Sequence, residues 1–221
     1  MEKYYGESPF VYGDNNPINT IDMDGRKIIF VNGFLAFGLL KGGEQYWTSM
    51  FVNGAQSFYH DYSSPYYTNR HYWPLSTAAD RRTSGYNYAK QHYSSIISGM
   101  DSNESFKLVS HSMGGAFSMG IKDYLEEQGW NVESAVFINA YQSDKIQMEE
   151  NDSTFSVDFQ NTNDPVLFWF DSNLGKGEIM NSEIIIRVES DRGFRYIHLG
   201  PVSSGEKFWE ELQMAIRQQF E

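Results

Sequence analysis

The stretch Lys107-Leu-Val-Ser-His-Ser-Met-Gly-Gly115 constrains the fold more than any other. A short apolar run, Ser105 to Val109, ends there, and a helical period starts with no spacer. From Met113 to Glu127, Met113, Phe117, Ile121, Tyr124 and Leu125 fall on one stripe. A strand that turns straight into a helix brings the two backbones very close, and only small residues fit at the turn. The same reading recurs along the chain. Lys27 to Val31 is a buried strand ending at Asn32-Gly33, and Val132 to Asn139, Phe155 to Phe159 and Glu183 to Val188 are further strands. Gly85 to Ile97 carries Tyr86, Ala89, Tyr93, Ile96 and Ile97 on one helical face. A terminal helix presents Phe208, Trp209, Leu212, Ala215, Ile216 and Phe220, with Ser203 and Glu206 at capping-box spacing. Buried strands separated by amphipathic helices predict an α/β fold with a mainly parallel central sheet.

Composition narrows the function. The 221 residues carry a formal net charge of −12, which argues against polyanion binding and against docking on anionic lipid through a basic patch. Aromatics at 16% exclude wholesale disorder. With no cysteine there is no thiolate metal site and no cysteine nucleophile. No apolar run approaches the roughly 20 residues of a membrane span. Residues Met1 to Asn19 lack the charged start and apolar core of a signal peptide. The expectation is a protein that is cytoplasmic as synthesised, or exported by a specialised secretion system.

A strand, a sharp turn and a helix are the setting for a nucleophile elbow, G-x-S-x-G, with Ser112 at its tip. Gly114 fills the second small position, and Ser110 stands where Gly is usual at the first. Here the chain resembles the α/β-hydrolase superfamily, and Ser-His-Ser-Met-Gly-Gly is similar to the elbow of lipases and esterases. The resemblance covers most of residues 27–221 and implies a three-layer α/β-hydrolase fold. It also implies the chain order nucleophile, acid, base. Of His60, His71, His92, His111 and His198, only His198 follows Ser112, so it is the candidate base. His111 adjoins the nucleophile with its side chain directed away, as a packing or hydrogen-bonding residue. Asp164, in the turn Asn161-Thr-Asn-Asp-Pro-Val, resembles the acid of fungal-type triglyceride lipases, although an Asp before Pro also shapes such a turn by itself. Asp158 and Asp171 are the other candidates for the acid.

An oxyanion hole needs two backbone N–H groups. The resemblance assigns one to Met113 and the other to Phe34, in an Asn32-Gly33-Phe34 loop similar to the His-Gly-x turn of lipases. The aromatic tract from Tyr46 to Trp73 reads equally as core or as a rim over an acyl groove.

Residues 1–26 are of another kind, rich in Tyr, Asn, Asp, Gly and Pro and without a period. Tyr12, Asn15, Asn16, Pro17, Asn19, Asp22, Asp24 and Gly25 resemble the closing segment of the RHS-repeat-associated core, with Met23 in place of the usual Pro. That resemblance implies a leader ahead of an effector domain (residues 27–221), with an RHS shell or a cognate immunity protein as partner. The whole chain reads as a serine hydrolase cleaving carboxylic esters, lipid-like ones, with no metal or organic cofactor. The rival readings are a catalytically silent hydrolase fold used for binding, and an acyltransferase, thioesterase or peptidase using the same residues.

Overall fold

The computed structural model describes residues 26–35, 40–164, 177–189, 198–203 and 205–220. The leader motif and Asp171 lie outside them. Six strands, β1 (Arg26–Val31), β2 (Tyr66–Tyr67), β3 (Ser105–His111), β4 (Asn131–Ile138), β5 (Phe155–Asn161) and β6 (Ile184–Val188), form one sheet in the order β2-β1-β3-β4-β5-β6. Every pairing between neighbours is parallel. Parallel strands need crossovers, and here α1 (Ser49–Tyr59), α2 (Ala78–Ile96) and α3 (Gly114–Glu127) lie in them, while α4 (Glu206–Phe220) follows the last strand; the helices cover both faces of the sheet. No helix among the described residues is long and apolar enough to cross a membrane.

The alternation along each strand sorts the core into two halves. Ile29, Val31, Phe106, Leu108 and Phe137 face α2 and α3. Ile28, Phe30, Val109, Val136 and Ile138 face α1 and α4. The expected three layers with a mainly parallel sheet are therefore the architecture observed. β1, β3, β4, β5 and β6 run within two residues of their expected bounds because apolar runs mark them well, whereas no such run marks the two-residue β2.

Two elements are not legible in the same way. α2 starts at Ala78, seven residues before its expected start. Its first turns bury Ala78, Arg81 and Gly85, two small residues and a charged one, so no apolar period shows. Thr77 caps it, accepting from the Asp80 N–H, while the Asp80 carboxylate accepts from the Thr77 N–H. α1 has Asn53 and Gly54 in its middle, and a Cβ on Gly54 would meet the Trp209 ring at 2.5 Å. The aromatic tract is part core and part surface. Phe51, Tyr59 and Tyr72 are core, whereas Tyr62 and Trp73 are exposed. Ser203, expected to cap α4, instead donates from its hydroxyl to the Leu199 carbonyl at 2.7 Å and ends the short turn Gly200–Ser203.

Helices α2 and α3 touch backbone to backbone. A Cβ on Gly120 would run into the Arg82 carbonyl, and one on Gly85 into the Phe117 carbonyl. This contact lets α3 lie flat against the sheet with Gly114, Gly115 and Ala116 over the strand ends. Replacing Gly120 by Ala gains ~1 kcal/mol of helix propensity. It also forces two backbones apart, and overpacking costs roughly 1–3 kcal/mol where a flexible side chain could yield. No side chain can yield here, so we expect Gly120→Ala to lower the urea midpoint with an unchanged m-value.

Candidate active site

Ser112 sits between β3 and α3 with φ +53°, a left-handed conformation that L-residues adopt at a cost of about 1–2 kcal/mol. The surroundings over-determine it. Its N–H donates to the Ile138 carbonyl at 2.9 Å, and its own carbonyl accepts from Gly115 and Tyr141, each at 3.1 Å. The small residues around it have a steric cause. A Cβ on Gly114 would lie 2.6 Å from the Asn32 carbonyl oxygen and 2.7 Å from that of Val31. Ser110 is fully buried and small enough for the first position, with its hydroxyl toward the Val136 carbonyl. Two further left-handed residues, Asn139 and Gln142, lie just past the end of β4. Strained non-glycine residues gathered at strand ends mark candidate functional sites.

Asp164 and His198 come together. His198 Nδ1 lies 2.5 Å from Asp164 Oδ2, with Asp164 fully buried and His198 9% exposed. The carboxylate accepts, so Nδ1 carries the proton and Nε2 is the basic nitrogen. Asp164 is held by its own turn: its N–H donates to the Asn161 carbonyl at 3.0 Å, and Asn163 N–H donates to the Asn161 side chain at 3.2 Å. The carbonyl of His198 accepts from Asn139 Nδ2 at 3.2 Å and from His111 Nε2 at 2.9 Å. His111 immediately precedes Ser112, so His198 lies beside the strained turn. Asn139 also accepts from the Asn161 N–H at 2.7 Å, which ties the ends of β4 and β5 to the same histidine.

The loop after β1 closes the other side. A Cβ on Gly33 would fall 3.0 Å from Ser112 Cβ, which brings this loop against the serine. Asn32 fixes the loop by donating to the carbonyls of Gly33 (2.8 Å) and Arg70 (2.9 Å) and accepting from the Arg70 N–H (3.0 Å). Phe34 follows directly, and Met113 is the residue that leads into α3. The N-terminus of α3 thus lies at the serine, with the positive end of its dipole. Beside the site runs a groove of about 390 Å³, walled by Leu40, Tyr46, Leu199 and Val202 with Lys41 and Thr48 among its polar groups.

Asp158, the alternative acid, is engaged elsewhere. Its Oδ2 accepts from Gln160 Nε2 at 2.7 Å and from the Ile179 N–H at 2.9 Å. Its other oxygen has no hydrogen-bond partner among the described residues. Burial pushes its carboxyl up to about 6, against these two hydrogen bonds. The reading of the sequence did not find Tyr46, Asn139 or Asn161. Their parts come from contacts 22 to 65 residues apart along the chain, and no local pattern announces them.

No protein-family model matches the chain, and no curated protein is significantly similar to it in sequence. Several solved structures are similar. The RedJ thioesterase of prodiginine biosynthesis in Streptomyces coelicolor is 9% identical, over 87% of each chain, with a TM-score of 0.48. An esterase/lipase from an uncultured bacterium is 11% identical, over 90% of this chain and 78% of the other, at 0.47. A lipase-esterase related protein of Clostridium acetobutylicum is 12% identical, over 87% and 95%, at 0.49.

The buried Asp158 gives a signed pH effect. Its folded pKa is raised to about 6 from an unfolded value near ~3.9. The stability it allows is therefore fully present below ~4 and is lost as pH rises through about 6. Asp158→Asn removes that loss. We expect the stability of the variant minus that of the parent, from urea unfolding, to climb between ~pH 4 and 6 and then level off. A difference that is flat across this window would mean that Asp158 is not held up by burial.

Proposed function

We propose that this chain is a serine hydrolase of the α/β-hydrolase type that cleaves carboxylic esters by acyl transfer. The observation that carries the reading is the buried Asp164–His198 pair beside a serine held at φ +53°. In this reading Ser112 attacks the ester carbonyl and His198 Nε2 takes its proton. Asp164 holds the tautomer that makes Nε2 basic and stabilises the imidazolium. The N–H groups of Met113 and Phe34 stabilise the oxyanion, aided by the N-terminus of α3. His198 then returns its proton to the leaving alcohol. Water attacks the acyl-serine by the same route in reverse, and the acid is released. Leu40, Leu199 and Val202 in the groove suit an apolar acyl chain, and Lys41 and Thr48 also line it. Lipid-like esters are the proposed substrates, and the RHS-like leader makes an effector cassette the proposed setting.

The rival with no chemistry is a binding module on the same fold. A fluorophosphonate probe, followed by mass spectrometry of the Ser112 peptide, separates the two. We expect one adduct, on Ser112, and none after Ser112→Ala. Hydrolysis of chromogenic esters should fall by roughly 10⁴- to 10⁶-fold in that variant. Asp164→Asn should cost about 10⁴-fold by allowing the wrong tautomer, whereas Asp158→Asn should stay near the parent rate. An unlabelled, correctly folded protein would favour the binding module. Rates on matched ester, thioester and amide substrates assign the leaving group.

A further inference from the structure

His111 is fully buried beside the proposed base and has no role in the chemistry above. Its ring lies 4.6 Å, centroid to centroid, from that of His198. Both of its nitrogens are engaged. Nε2 is 2.9 Å from the carbonyl oxygen of His198, and a carbonyl only accepts, so Nε2 carries a proton. Nδ1 is 2.5 Å from the Tyr46 hydroxyl. Burial, and next the neighbouring His198, hold the His111 imidazole well below its usual range. The ring is therefore neutral, and Nδ1 accepts from Tyr46. The Tyr46 hydroxyl keeps its own proton because burial drives the phenol upward, and it lies close against Gly33. The same groups crowd one point. A Cβ on Gly33 would lie 2.6 Å from Tyr46 Oη and 2.9 Å from His111 Nδ1. Both donors in the series point the same way: Tyr46 to His111, and His111 to the His198 carbonyl.

We propose that Tyr46 and His111 are a positioning pair, a hydrogen-bond relay that sets the loop after β1, the Ser112 turn and the backbone of His198 in one fixed relation. The proposal rests on the reading of Ser112 as nucleophile and His198 as base. Asp164 holds the His198 ring at Nδ1, and a bond at one atom fixes a point rather than a position. The carbonyl of the same residue supplies the second anchor, through His111 and Asn139. Bonds in such a buried series polarise one another and share one geometry, so losing any link loosens the rest. A misplacement of about 1 Å in a reacting group can cost ~10²-fold in rate.

The test is phosphonylation of Ser112 in the full chain by a fluorophosphonate, with kinact and KI determined separately. Tyr46→Phe keeps the ring and removes only the hydroxyl. We expect it to lower kinact by roughly 10- to 100-fold while KI and Tm stay near the parent values. His111→Leu should lose at least as much. His111→Gln should regain a large part of that loss, because its amide N–H can reach the same carbonyl. The double variant Tyr46→Phe/His111→Leu should be no slower than His111→Leu alone, since both remove links of one series. A parent-like kinact for Tyr46→Phe overturns the proposal. So do a loss confined to KI, a multiplicative double variant, or a rate loss that follows Tm and recovers on cooling. If His111→Leu does not fold, Tyr46→Phe decides the matter alone. Parent protein that leaves Ser112 unlabelled overturns the nucleophile and the pair together, whereas labelled Ser112 with parent-like variants overturns the pair only.

Discussion

The close passage of α3 over the end of β1 is the constraint on which the rest of the molecule depends. Gly114 lies against the carbonyls of Val31 and Asn32 with no room for a side chain. With helix and strand this near, the connection from β3 must turn within one residue, and Ser112 takes the left-handed conformation that makes the turn. The same approach is supported from behind, where Gly85 and Gly120 let α2 press on α3. A helix held so firmly keeps its N-terminal N–H groups at the serine, which is where the proposed mechanism puts the oxyanion.

Around this turn, polar groups tie the strand ends to one another. Asn139 takes the Asn161 N–H and gives a hydrogen bond to the His198 carbonyl. Asn32 does the equivalent on the far side, joining the loop after β1 to the Thr68–Arg70 segment. These side chains are fully buried and hydrogen-bonded, so they work as struts rather than as a desolvation burden. Buried lysines do similar work away from the site. Lys27 donates to the carbonyls of Ile96 and Ser98 at the end of α2, and Lys107 pairs with Glu133 below the Tyr59 ring. A cation at a helix C-terminus meets the negative end of the dipole.

Much of this was legible in the sequence where burial is apolar and regular. β1, β3, β4, β5 and β6, together with α3, announce themselves by runs such as Ile28–Val31 or by a stripe such as Phe117, Ile121 and Leu125. The start of α2 was not legible because it buries alanine, glycine and an arginine. His198 is the one histidine after Ser112, and the order that the resemblance implies makes it the candidate base. That order could not show that Tyr46, 65 residues before His111, closes on it. That contact depends on how the loop after β1 folds back, which no periodicity encodes.

The two carboxylates in and just after β5 differ by environment and not by residue type. Asp158 and Asp164 are six residues apart and both fully buried. Asp158 lies inside the strand, where it meets a main-chain N–H and a glutamine amide. Neither is an ionisable partner, and burial raises its carboxyl to about 6. Asp164 lies past the strand end, on a turn built by Asn161, and meets an imidazole at 2.5 Å. An imidazole can take up a positive charge when it accepts a proton, and a carboxylate beside it is then half of an ion pair. A glutamine amide can do no such thing. The strand ends at Asn161, three residues before Asp164, so that Asp164 stands off the sheet where it meets His198.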